Sequence, residues 1–361
     1  MNFIDLQEQY RRYKDEIRTE MDKVLESAMF IKGPALAEFE EMLAEHSGVK
    51  HAVGCSSGTD ALVLGLLAKG MKPGDEVIVP DFTFIATAET VSLMGGVPVF
   101  ADVQEDTLNI DPADIEKKIT AKTVGIIPVS LYGQCADFDE IQAIADKNNV
   151  WVMEDGAQSY GAEYKGRKSC SITEIATTSF FPAKPLGAYG DGGAVFTNDD
   201  ETADFVRMYL NHGQEKRYRH KVIGTNARLD ALQAAILKVK LRHFDDEVEA
   251  RQKVAGWYTA KLRGVVETPT VRDYNKSVWA QYTVRVENRE DVISHLKSKN
   301  IPTAIHYPVP LHAQEAFAVA KAPECPVSKR ASGRVFSLPM HPFMTEEQVD
   351  EVVSAIKEAV K

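Results

Sequence analysis

The sequence contains little cysteine and no long apolar run. Its four cysteines, Cys55, Cys135, Cys170 and Cys325, lie far apart and form no CxxC pair. Such sparse cysteines argue against a disulfide framework and against a paired-cysteine zinc site, and they favour a reducing compartment. No apolar run approaches the roughly 18 residues of a membrane span, and the N-terminal segment is too charged for a signal peptide. The sequence therefore predicts a soluble cytoplasmic protein with no metal site.

Positive charge is also in short supply. Lysine and arginine together number 42 against 53 acidic residues, which gives a formal net charge of −11 and a pI near 5.4. This balance argues against wholesale binding of nucleic acid or of an anionic membrane. It leaves room for an anionic small molecule, because a few local cations or backbone amides can hold one.

The 361 residues, 44% of them apolar, are enough for about two domains with a large core. From residue 51 onward, short apolar runs alternate with helical stretches, which is typical of a mainly parallel sheet whose strands are buried on both faces. The last two runs have no helix between them and could be antiparallel or adjacent. The predicted strands are His51–Cys55, Glu76–Pro80, Val97–Ala101, Val124–Val129, Val150–Glu154, Ala176–Phe180 and Ala194–Thr197.

The three- and four-residue spacing of apolar side chains predicts the helices. Those of the first part of the chain are residues 5–29, Ala35–His46, Asp60–Lys69, Ile85–Met94, Asp111–Ile119 and Asp137–Lys147. A long helix from Asp230 to about Leu262 leads out of this part. Beyond it we predict a strand at Gln281–Val286, a helix at Arg289–Lys299 and a final helix with a capping box at Thr345 and Gln348. These patterns predict a large domain, 1–244, and a smaller α/β domain, 245–361.

Three segments contain residue types that suit a phosphorylated cofactor. Gly54–Asp60 is a turn of small residues before a helix, whose N-terminal amides can hold a phosphate, although Ser57 or Thr59 could simply cap that helix. Asp155 ends an apolar strand, where ligand sites of α/β proteins lie, although it could only cap the next turn. Lys184 precedes a glycine-rich loop, where partial burial would lower its pKa and favour a nucleophilic amine. Most lysines, however, are solvated surface charges.

An anion cradle, a carboxylate and a lysine are together what pyridoxal phosphate needs. With these residues in place, the chain resembles the sugar-nucleotide aminotransferases of the DegT/DnrJ/EryC1/StrS family, which are fold-type I pyridoxal-phosphate enzymes. The resemblance covers essentially the whole chain. It rests on the motifs SSGTDAL, PDFTFIAT, EDGAQSYGA, SFFPAKPLGAYGDGGA and NARLDALQAAIL. It implies an α/β large domain with a mainly parallel, mixed, seven-stranded sheet flanked by helices, plus a smaller C-terminal α/β domain.

The resemblance also implies roles around the cofactor ring. Lys184 would form the Schiff base and then move a proton between cofactor and substrate carbons. Asp155 would pair with the pyridinium nitrogen, and Gln158 would hydrogen-bond the ring hydroxyl. Phe84 matches an aromatic residue that stacks on the ring, although ordinary core packing would also explain a phenylalanine there.

Further residues are implied around the phosphate. Gly58 and Thr59 would hold it through the helix N-terminus, with the Ser179 hydroxyl beside them. Asn226 matches a residue that reaches the phosphate of the neighbouring subunit. The resemblance therefore implies a homodimer with shared active sites.

The implied reaction is a ping-pong transamination. L-glutamate leaves its amino group on the cofactor, giving the pyridoxamine form (PMP), and a keto-sugar nucleotide then receives it. NHGQEKRYRH, NARLDALQAAIL, SVWAQYTV and AIHYPVPLH are most similar to the family members that act on UDP-2-acetamido-2-deoxy-3-keto-D-glucuronic acid. Those enzymes serve bacterial surface polysaccharide, such as the O-antigen.

The carboxylate of that sugar should bind a bidentate guanidinium. We expect Arg228 and His306 to recognise it, with Tyr307 also contacting the substrate, although His306 could equally cap a helix or a loop. Arg228 could instead form an ion pair with Asp230 or another acid. The basic stretch 211–221 could meet the nucleotide diphosphate or be a solvated loop.

Other functions are compatible with parts of this pattern. A 4-keto UDP-sugar or a 3-keto dTDP-sugar could be the acceptor. Related dehydratases carry histidine in place of the Schiff-base lysine, so Lys184 argues against that reaction. A regulatory relative without catalysis is disfavoured by the net charge of −11. Nicotinamide binding through 187–193 lacks the strand–GxGxxG–helix context.

Overall fold

The computed structural model describes residues 1–318 and 323–360. The helices are α1 Leu6–Ser27, α2 Pro34–Ser47, α3 Gly58–Ala68, α4 Ala86–Leu93, α5 Pro112–Lys118, α6 Phe138–Asn148, α7 Asp200–Tyr209, α8 Ala231–Arg242, α9 Phe244–Leu262, α10 Arg289–Ser298, α11 Pro326–Arg334 and α12 Glu346–Ala359. The strands are β1 His51–Cys55, β2 Glu76–Pro80, β3 Val97–Ala101, β4 Thr123–Ile126, β5 Trp151–Asp155, β6 Glu163–Tyr164, β7 Arg167–Lys168, β8 Ile175–Ser179, β9 Gly193–Thr197, β10 Gln214–Lys216, β11 Arg219–His220, β12 Asn275–Lys276, β13 Tyr282–Arg285 and β14 Val335–Leu338.

A seven-stranded sheet forms the centre of the first part of the chain. Its strand order is β1-β9-β8-β5-β4-β2-β3. Strands β3, β2, β4, β5 and β8 pair in parallel, whereas β9 is antiparallel to both of its neighbours. The predicted mixed seven-stranded sheet is confirmed. Strands β8 and β9, whose relation the sequence left open, are both adjacent and antiparallel.

The sheet is buried on both faces. Successive side chains of a strand point to opposite faces, and in β2 this places Val77 and Val79 in one apolar cluster and Ile78 in the other. Leu43 of α2 and Leu237 of α8 belong to the same cluster as Ile78. Helices therefore cover both faces, which explains why these strands read as continuous apolar runs.

The prediction of one continuous helix from Asp230 to Leu262 is wrong. Helix α8 ends at Arg242 and α9 begins at Phe244, because His243 has φ −102° and ψ 1° and leaves the helical conformation. The His243 ring stacks on Tyr13 of α1 with ring centroids 4.2 Å apart. Helix α8 packs on α1 and α2, while α9 packs on α12, so the two helices bury different faces.

The C-terminal part has its own apolar cluster. Residues of α9, β13, β14, α10 and α12 form it, including Tyr258, Tyr282, Phe336 and Val352. The predicted capping box is confirmed, since both of its reciprocal hydrogen bonds join Thr345 and Gln348. The boundary between residues 244 and 245 stays a prediction.

The structure adds elements that the sequence patterns did not predict. They include α7, α11, β14, the β10–β11 hairpin, and the small sheet in which β12 pairs with β6. All four cysteines are buried and unpaired. Among the helices described, none combines the length and the apolar character that crossing a membrane requires.

A buried ion pair joins α1 to α8. The Nζ of Lys238 lies 3.0 Å from Oε2 of Glu20 and also contacts Glu38, while Lys23 lies 2.9 Å from Oε1 of Glu20. Burial alone would raise the pKa of Glu20, but the hydrogen bonds from Lys23 and Lys238 outweigh it and lower the pKa to about 2. Glu20 therefore stays ionised in the folded protein well into the acid range.

This pair predicts a specific loss of stability in acid. Glu20 titrates near 4.3 when unfolded and at about 2 when folded, so its contribution is complete above roughly pH 5 and is lost as the pH falls through 2. Glu20→Gln should lower the free energy of unfolding by about 3 kcal/mol at pH 7, and by less as the pH approaches 2. Urea denaturation across this range measures the difference. Glu26→Gln, exposed on the same helix, is the control, and a pH-independent effect of Glu20→Gln would contradict the assignment.

Candidate active site

A cavity of about 540 Å³ lies at the carboxyl ends of β2, β5 and β8. This size is typical of small-molecule sites. It is lined by most of the predicted site residues, namely Gly58, Thr59, Phe84, Asp155, Gln158, Ser179, Lys184, His306 and Tyr307. Two predicted residues, Asn226 and Arg228, lie outside it. The parallel strands thus bring residues that are distant in sequence to one edge of the sheet.

The turn between β1 and α3 forms one end of the cavity. Ser57 is the N-cap of α3 and accepts a hydrogen bond from the Asp60 amide at 3.0 Å. The amides of Gly58 and Thr59 are the first in the helix and have no intrahelical acceptor, so they are available to an anion. A Cβ on residue 58 would lie 2.6 Å from the Ser179 Cβ. Only glycine therefore allows this close approach of α3 to β8, and the turn that caps the helix also presents free amides to which an anion could bind.

Asp155 ends β5 and is 4% exposed. Its Oδ2 accepts a hydrogen bond from the Thr87 hydroxyl at 2.8 Å, and its Oδ1 accepts one from the Ala157 amide at 3.1 Å. Burial raises the pKa of Asp155, while these hydrogen bonds and the charge of Lys184 oppose the rise. The bond to Ala157 is the turn cap that the sequence allowed as an alternative, but the carboxylate also lines the cavity.

The neighbouring Glu154 points to the other face of the sheet. It is fully buried, and its carboxylate accepts hydrogen bonds from the Ser130 and Ser169 hydroxyls at 2.8 and 2.7 Å and from the Cys170 amide at 2.7 Å. Burial raises the pKa of Glu154 despite these donors. Of the two adjacent acids, only Asp155 is available to a ligand in the cavity.

Lys184 lies in the loop that follows β8. Its amide donates to the Phe181 carbonyl at 2.8 Å, which turns the chain toward the cavity. Burial lowers the pKa of Lys184, and the negative charge of Asp155 partly restores it. A lowered pKa makes the neutral, nucleophilic amine more abundant near neutral pH.

Gln158 and Tyr307 line the cavity, and hydrogen bonds connect them with Tyr132, which lies outside its lining. The Gln158 side-chain oxygen accepts a hydrogen bond from the Tyr132 amide at 2.8 Å, and its Nε2 donates to the Tyr307 hydroxyl at 3.1 Å. The Tyr132 hydroxyl in turn donates to the His306 carbonyl. An amide nitrogen carries two hydrogens, so Gln158 can donate to a ligand while it keeps Tyr307 in place.

Phe84 and His306 complete the cavity in different ways. Phe84 is 52% exposed, so core packing does not account for it. Its ring centroid lies 6.2 Å from that of Tyr307. The Nδ1 of His306 lies 2.9 Å from the Ser337 hydroxyl. Burial and the nearby Lys184 charge lower the pKa of His306 to about 4, so this imidazole is neutral at pH 7 and offers hydrogen bonds rather than charge.

Asn226 and Arg228 lie on a surface segment beside β1. The backbone of Arg228 forms an isolated antiparallel β-bridge with Cys55. The Nη1 of Arg228 donates a hydrogen bond to the Asn211 side chain at 2.8 Å. Its buried Nε has no hydrogen-bond partner within residues 1–318 and 323–360. Among these described residues, no carboxylate lies within ion-pair distance of Arg228. The ion pair with Asp230 that the sequence allowed as an alternative is therefore not formed. Arg228 lines a second cavity of about 220 Å³ together with Lys32, Arg207 and Glu40.

Some residues of the site were not singled out from the sequence. Thr87, which fixes Asp155, lies within the PDFTFIAT motif, but nothing in that motif shows which carboxylate its hydroxyl contacts. Tyr132 orients Gln158 through its backbone amide. Its φ is 57°, a conformation that the residue type tyrosine does not predict. Phe3 and Ile4 also line the cavity, although the N-terminal segment carries no site motif.

Asp81, His312 and Cys325 form a cluster whose residue types could ligate a metal. Oδ2 of Asp81 and Nδ1 of His312 are only 2.6 Å apart, which is hydrogen-bond distance. Two ligands about 2.0 Å from a tetrahedral zinc ion would be roughly 3.3 Å apart. The Asp81–His312 pair is therefore a structural contact that ties the segment after Tyr307 to the end of β2.

The comparisons with known proteins agree with this geometry. Residues 11–357 match the family described as the DegT/DnrJ/EryC1/StrS aminotransferase family. The chain is 51% identical over 357 residues, 99% of both chains, to UDP-2-acetamido-2-deoxy-3-oxo-D-glucuronate aminotransferase of Pseudomonas aeruginosa. It is 43% identical to UDP-N-acetyl-3-dehydro-alpha-D-glucosamine 3-aminotransferase of Acidithiobacillus ferrooxidans, over 98% of this chain and 96% of that one.

Solved structures similar to this chain include proteins with a ketimine intermediate or the cofactor PMP bound. The crystal structure of DesV from S. venezuelae, in complex with a ketimine intermediate, has a TM-score of 0.98 at 40% identity and covers 100% of this chain and 98% of that one. NtdA from Bacillus subtilis, with bound cofactor PMP, has a TM-score of 0.89 at 32% identity, over 99% of this chain and 83% of that one.

The cavity fits the cofactor that these comparisons indicate, which is pyridoxal phosphate. The α3 N-terminus offers amides to a phosphate at a point where an added Cβ would block the approach. The buried Asp155 offers a carboxylate to a protonated ring nitrogen, and Lys184 offers an amine of lowered pKa to an aldehyde. The donor set therefore matches the phosphate, the ring and the carbonyl of one molecule.

Gly58→Ala should weaken cofactor binding. Because the new Cβ would lie 2.6 Å from the Ser179 Cβ, α3 must move and its amides leave the phosphate. A strain of about 1–3 kcal/mol corresponds to roughly a 5- to 150-fold rise in Kd. Titration of the cofactor-free protein with pyridoxal phosphate, followed by absorbance, measures it. In the control Gly256→Ala on α9, the new Cβ meets no atom within 4 Å. Wild-type affinity of Gly58→Ala would argue against the cradle.

Proposed function

Because the chain belongs to the DegT/DnrJ/EryC1/StrS aminotransferase family and is a pyridoxal-phosphate-dependent sugar aminotransferase, we propose that it aminates a specific keto-sugar nucleotide. The acceptor is UDP-2-acetamido-2-deoxy-3-keto-D-glucuronic acid, aminated at its 3-keto group, and the amino donor is L-glutamate. The observation that carries this choice is the 51% identity, over 99% of both chains, to a relative of Pseudomonas aeruginosa that bears the corresponding name.

The residues of the cavity divide the work as follows. Bound pyridoxal phosphate supplies an electron sink for the carbon that loses a proton. The amides of Gly58 and Thr59, with the Ser179 hydroxyl, would hold the phosphate. Asp155, fixed by Thr87, would keep a proton at the ring nitrogen. Gln158 would donate to the ring hydroxyl, and Phe84 would stack on the ring.

Lys184 has two tasks in this proposal. With the cofactor bound and no substrate present, its amine would be the group that links to the cofactor carbonyl; once free, it would hold and move a proton at Nζ between cofactor and substrate carbons. Both tasks need an amine that gains and loses a proton near neutral pH, and burial lowers the pKa of Lys184 in that direction. A histidine at this position could not form the covalent bond, so Lys184 favours transamination over dehydration.

Substrate charge is the point at which one chain is insufficient. Among the described residues that line the cavity, Lys184 is the only lysine or arginine, and His306 is neutral at pH 7 because its pKa is about 4. A uronate carboxylate and a diphosphate therefore need cations from elsewhere. Arg228, with a buried Nε that lacks a partner among the described residues, can supply a guanidinium to a second copy of the chain. Asn226, exposed on the same segment, can reach that copy's phosphate site.

We extend the proposal to the biological setting. The chain acts as a homodimer with shared active sites, each subunit consisting of a large domain, 1–244, and a small domain, 245–361. It works in the cytoplasm and provides an amino sugar for bacterial surface polysaccharide such as the O-antigen. In the substrate site of the partner, Arg228 acts together with His306 and Tyr307.

A two-stage assay tests the reaction. Incubation with L-glutamate should release 2-oxoglutarate in a stoichiometric burst, and the isolated protein should then aminate the 3-keto uronate nucleotide, as detected by mass spectrometry. A 4-keto UDP-sugar, a 3-keto dTDP-sugar and the neutral UDP-3-keto-N-acetylglucosamine serve as competing acceptors. Preferential amination of a 4-keto sugar would overturn the proposed acceptor. If L-glutamate released no 2-oxoglutarate but another amino acid did support amination of the uronate, only the proposed amino donor would be wrong.

Arg228→Ala should act on the charged substrate selectively. Loss of a charge-assisted bidentate contact costs about 1.5–3 kcal/mol, so KM for the uronate should rise roughly 10- to 100-fold. KM for the neutral 3-keto sugar and the affinity for pyridoxal phosphate should change little. Arg330→Ala, an exposed arginine in an ion pair with Glu105, is the control. Equal losses for both sugars would contradict the role.

Mixing an inactive variant, Lys184→Ala, with the impaired variant Arg228→Ala tests the shared site. In a heterodimer of Lys184→Ala and Arg228→Ala chains, one site combines intact Lys184 with intact Arg228 of the partner subunit. At a uronate concentration well below the KM of Arg228→Ala, the mixture should therefore be more active than either variant alone. If Arg228 served its own chain's site, one site of the heterodimer would lack Lys184 and the other would lack Arg228, so the mixture would gain nothing over Arg228→Ala alone.

A further inference from the structure

We propose that Lys240 of α8 is a positioning residue that holds the loop 181–187 in the shape that presents Lys184 to the cavity. The inference deepens the proposed function and rests on the role given there to Lys184. Lys240 is 3% exposed, and its Nζ donates a hydrogen bond to the Gly187 carbonyl. It lies outside the residues that line the cavity, so it acts through the loop and not on the ligand.

The loop is tightly folded and closed at its mouth. The Ala188 amide donates to the Phe180 carbonyl at 2.7 Å, and the Lys184 amide donates to the Phe181 carbonyl at 2.8 Å. At Gly187 a Cβ would lie 2.5 Å from the Pro182 carbonyl oxygen, so the chain passes very close to itself. The Gly187 carbonyl, three residues after Lys184, accepts the hydrogen bond by which Lys240 connects α8 to this loop.

The setting of Lys240 is unusual for a residue that only stabilises the core. A buried lysine normally pairs with a carboxylate, yet within the described part of the chain no carboxylate lies at ion-pair distance from Lys240. Its amine lies 4.9 Å from the centroid of the Tyr189 ring, a cation–π contact. Burial lowers the pKa of Lys240 to about 8, with Glu247 opposing and Arg251 reinforcing the shift. An apolar side chain would be less costly to bury, so the amine is best explained by its bond to Gly187.

The same helix offers a matched control. Lys238 is also buried, at 4% exposure, but it pairs with Glu20 and Glu38 and does not contact the loop. A substitution at Lys238 removes a buried amine from α8 without touching the chain that carries Lys184. Comparison of the two positions therefore separates positioning from stability.

The test compares Lys240→Met with Lys238→Met. Cofactor-free protein is mixed with pyridoxal phosphate, and the rate at which the visible absorbance of the lysine-linked cofactor develops is followed by stopped flow. A misplacement near 1 Å can cost up to about 100-fold in rate, so Lys240→Met should slow this step roughly 10- to 100-fold and lower kcat more than it changes KM. Lys238→Met should lower Tm but keep the wild-type rate.

Two results would overturn the inference. One is a wild-type rate of linkage in Lys240→Met; the other is equal slowing in both variants in proportion to their loss of Tm. If Lys240→Met does not accumulate as folded protein, Lys240→Gln replaces it, because its uncharged amide ends one bond short of the Nζ position. Lys184→Ala separates the two levels of the proposal. Visible linkage in Lys184→Ala would refute the role of Lys184, whereas loss of linkage there with a normal Lys240→Met would refute the role of Lys240 alone.

Discussion

Two groups of opposite charge line the same cavity, Asp155 at the end of β5 and Lys184 in the loop after the neighbouring parallel strand β8, and the rest of the site depends on this placement. Burial makes each charge costly: it raises the pKa of Asp155 and lowers that of Lys184, while each charge opposes the shift of the other. Hydrogen bonds from Thr87 and Ala157 hold the acid, and the loop held by Lys240 presents the amine. A parallel sheet achieves this juxtaposition because all its carboxyl ends lie on one edge.

Local patterns predicted the central sheet well, because buried parallel strands are short apolar runs bounded by helices. The predicted limits of β1, β2 and β3 agree with the structure residue for residue. Elements fixed by tertiary contacts were missed. Strands β6 and β12, each two residues long, form only because two segments distant in sequence pair with each other in the folded chain. Helix α7 was also missed because its first turn is polar, although Asp199 caps it by accepting a hydrogen bond from the Thr202 amide.

The site could be predicted as far as its motifs reach. Residues within one motif, such as Gly58 and Lys184, carry local signals: a small-residue turn before a helix and a glycine-rich loop. The contacts that fix them join distant segments, as between Tyr132 and Gln158, and no spacing rule shows which side chains meet. The position of Arg228 outside the cavity of its own chain is a further case, since one sequence does not reveal which copy a residue serves.

The burial of Glu154 has a consequence for strand alignment. A slip of β5 by one residue would exchange the faces of Glu154 and Asp155 and bring a longer acid to the ligand. Such a slip would also remove the Glu154 carboxylate from the Ser130 and Ser169 hydroxyls and from the Cys170 amide, and would leave these buried donors unsatisfied. The polar pocket around Glu154 thus fixes the register of β5. It ensures that, of the two adjacent carboxylates on this strand, Asp155 is the one that lines the cavity.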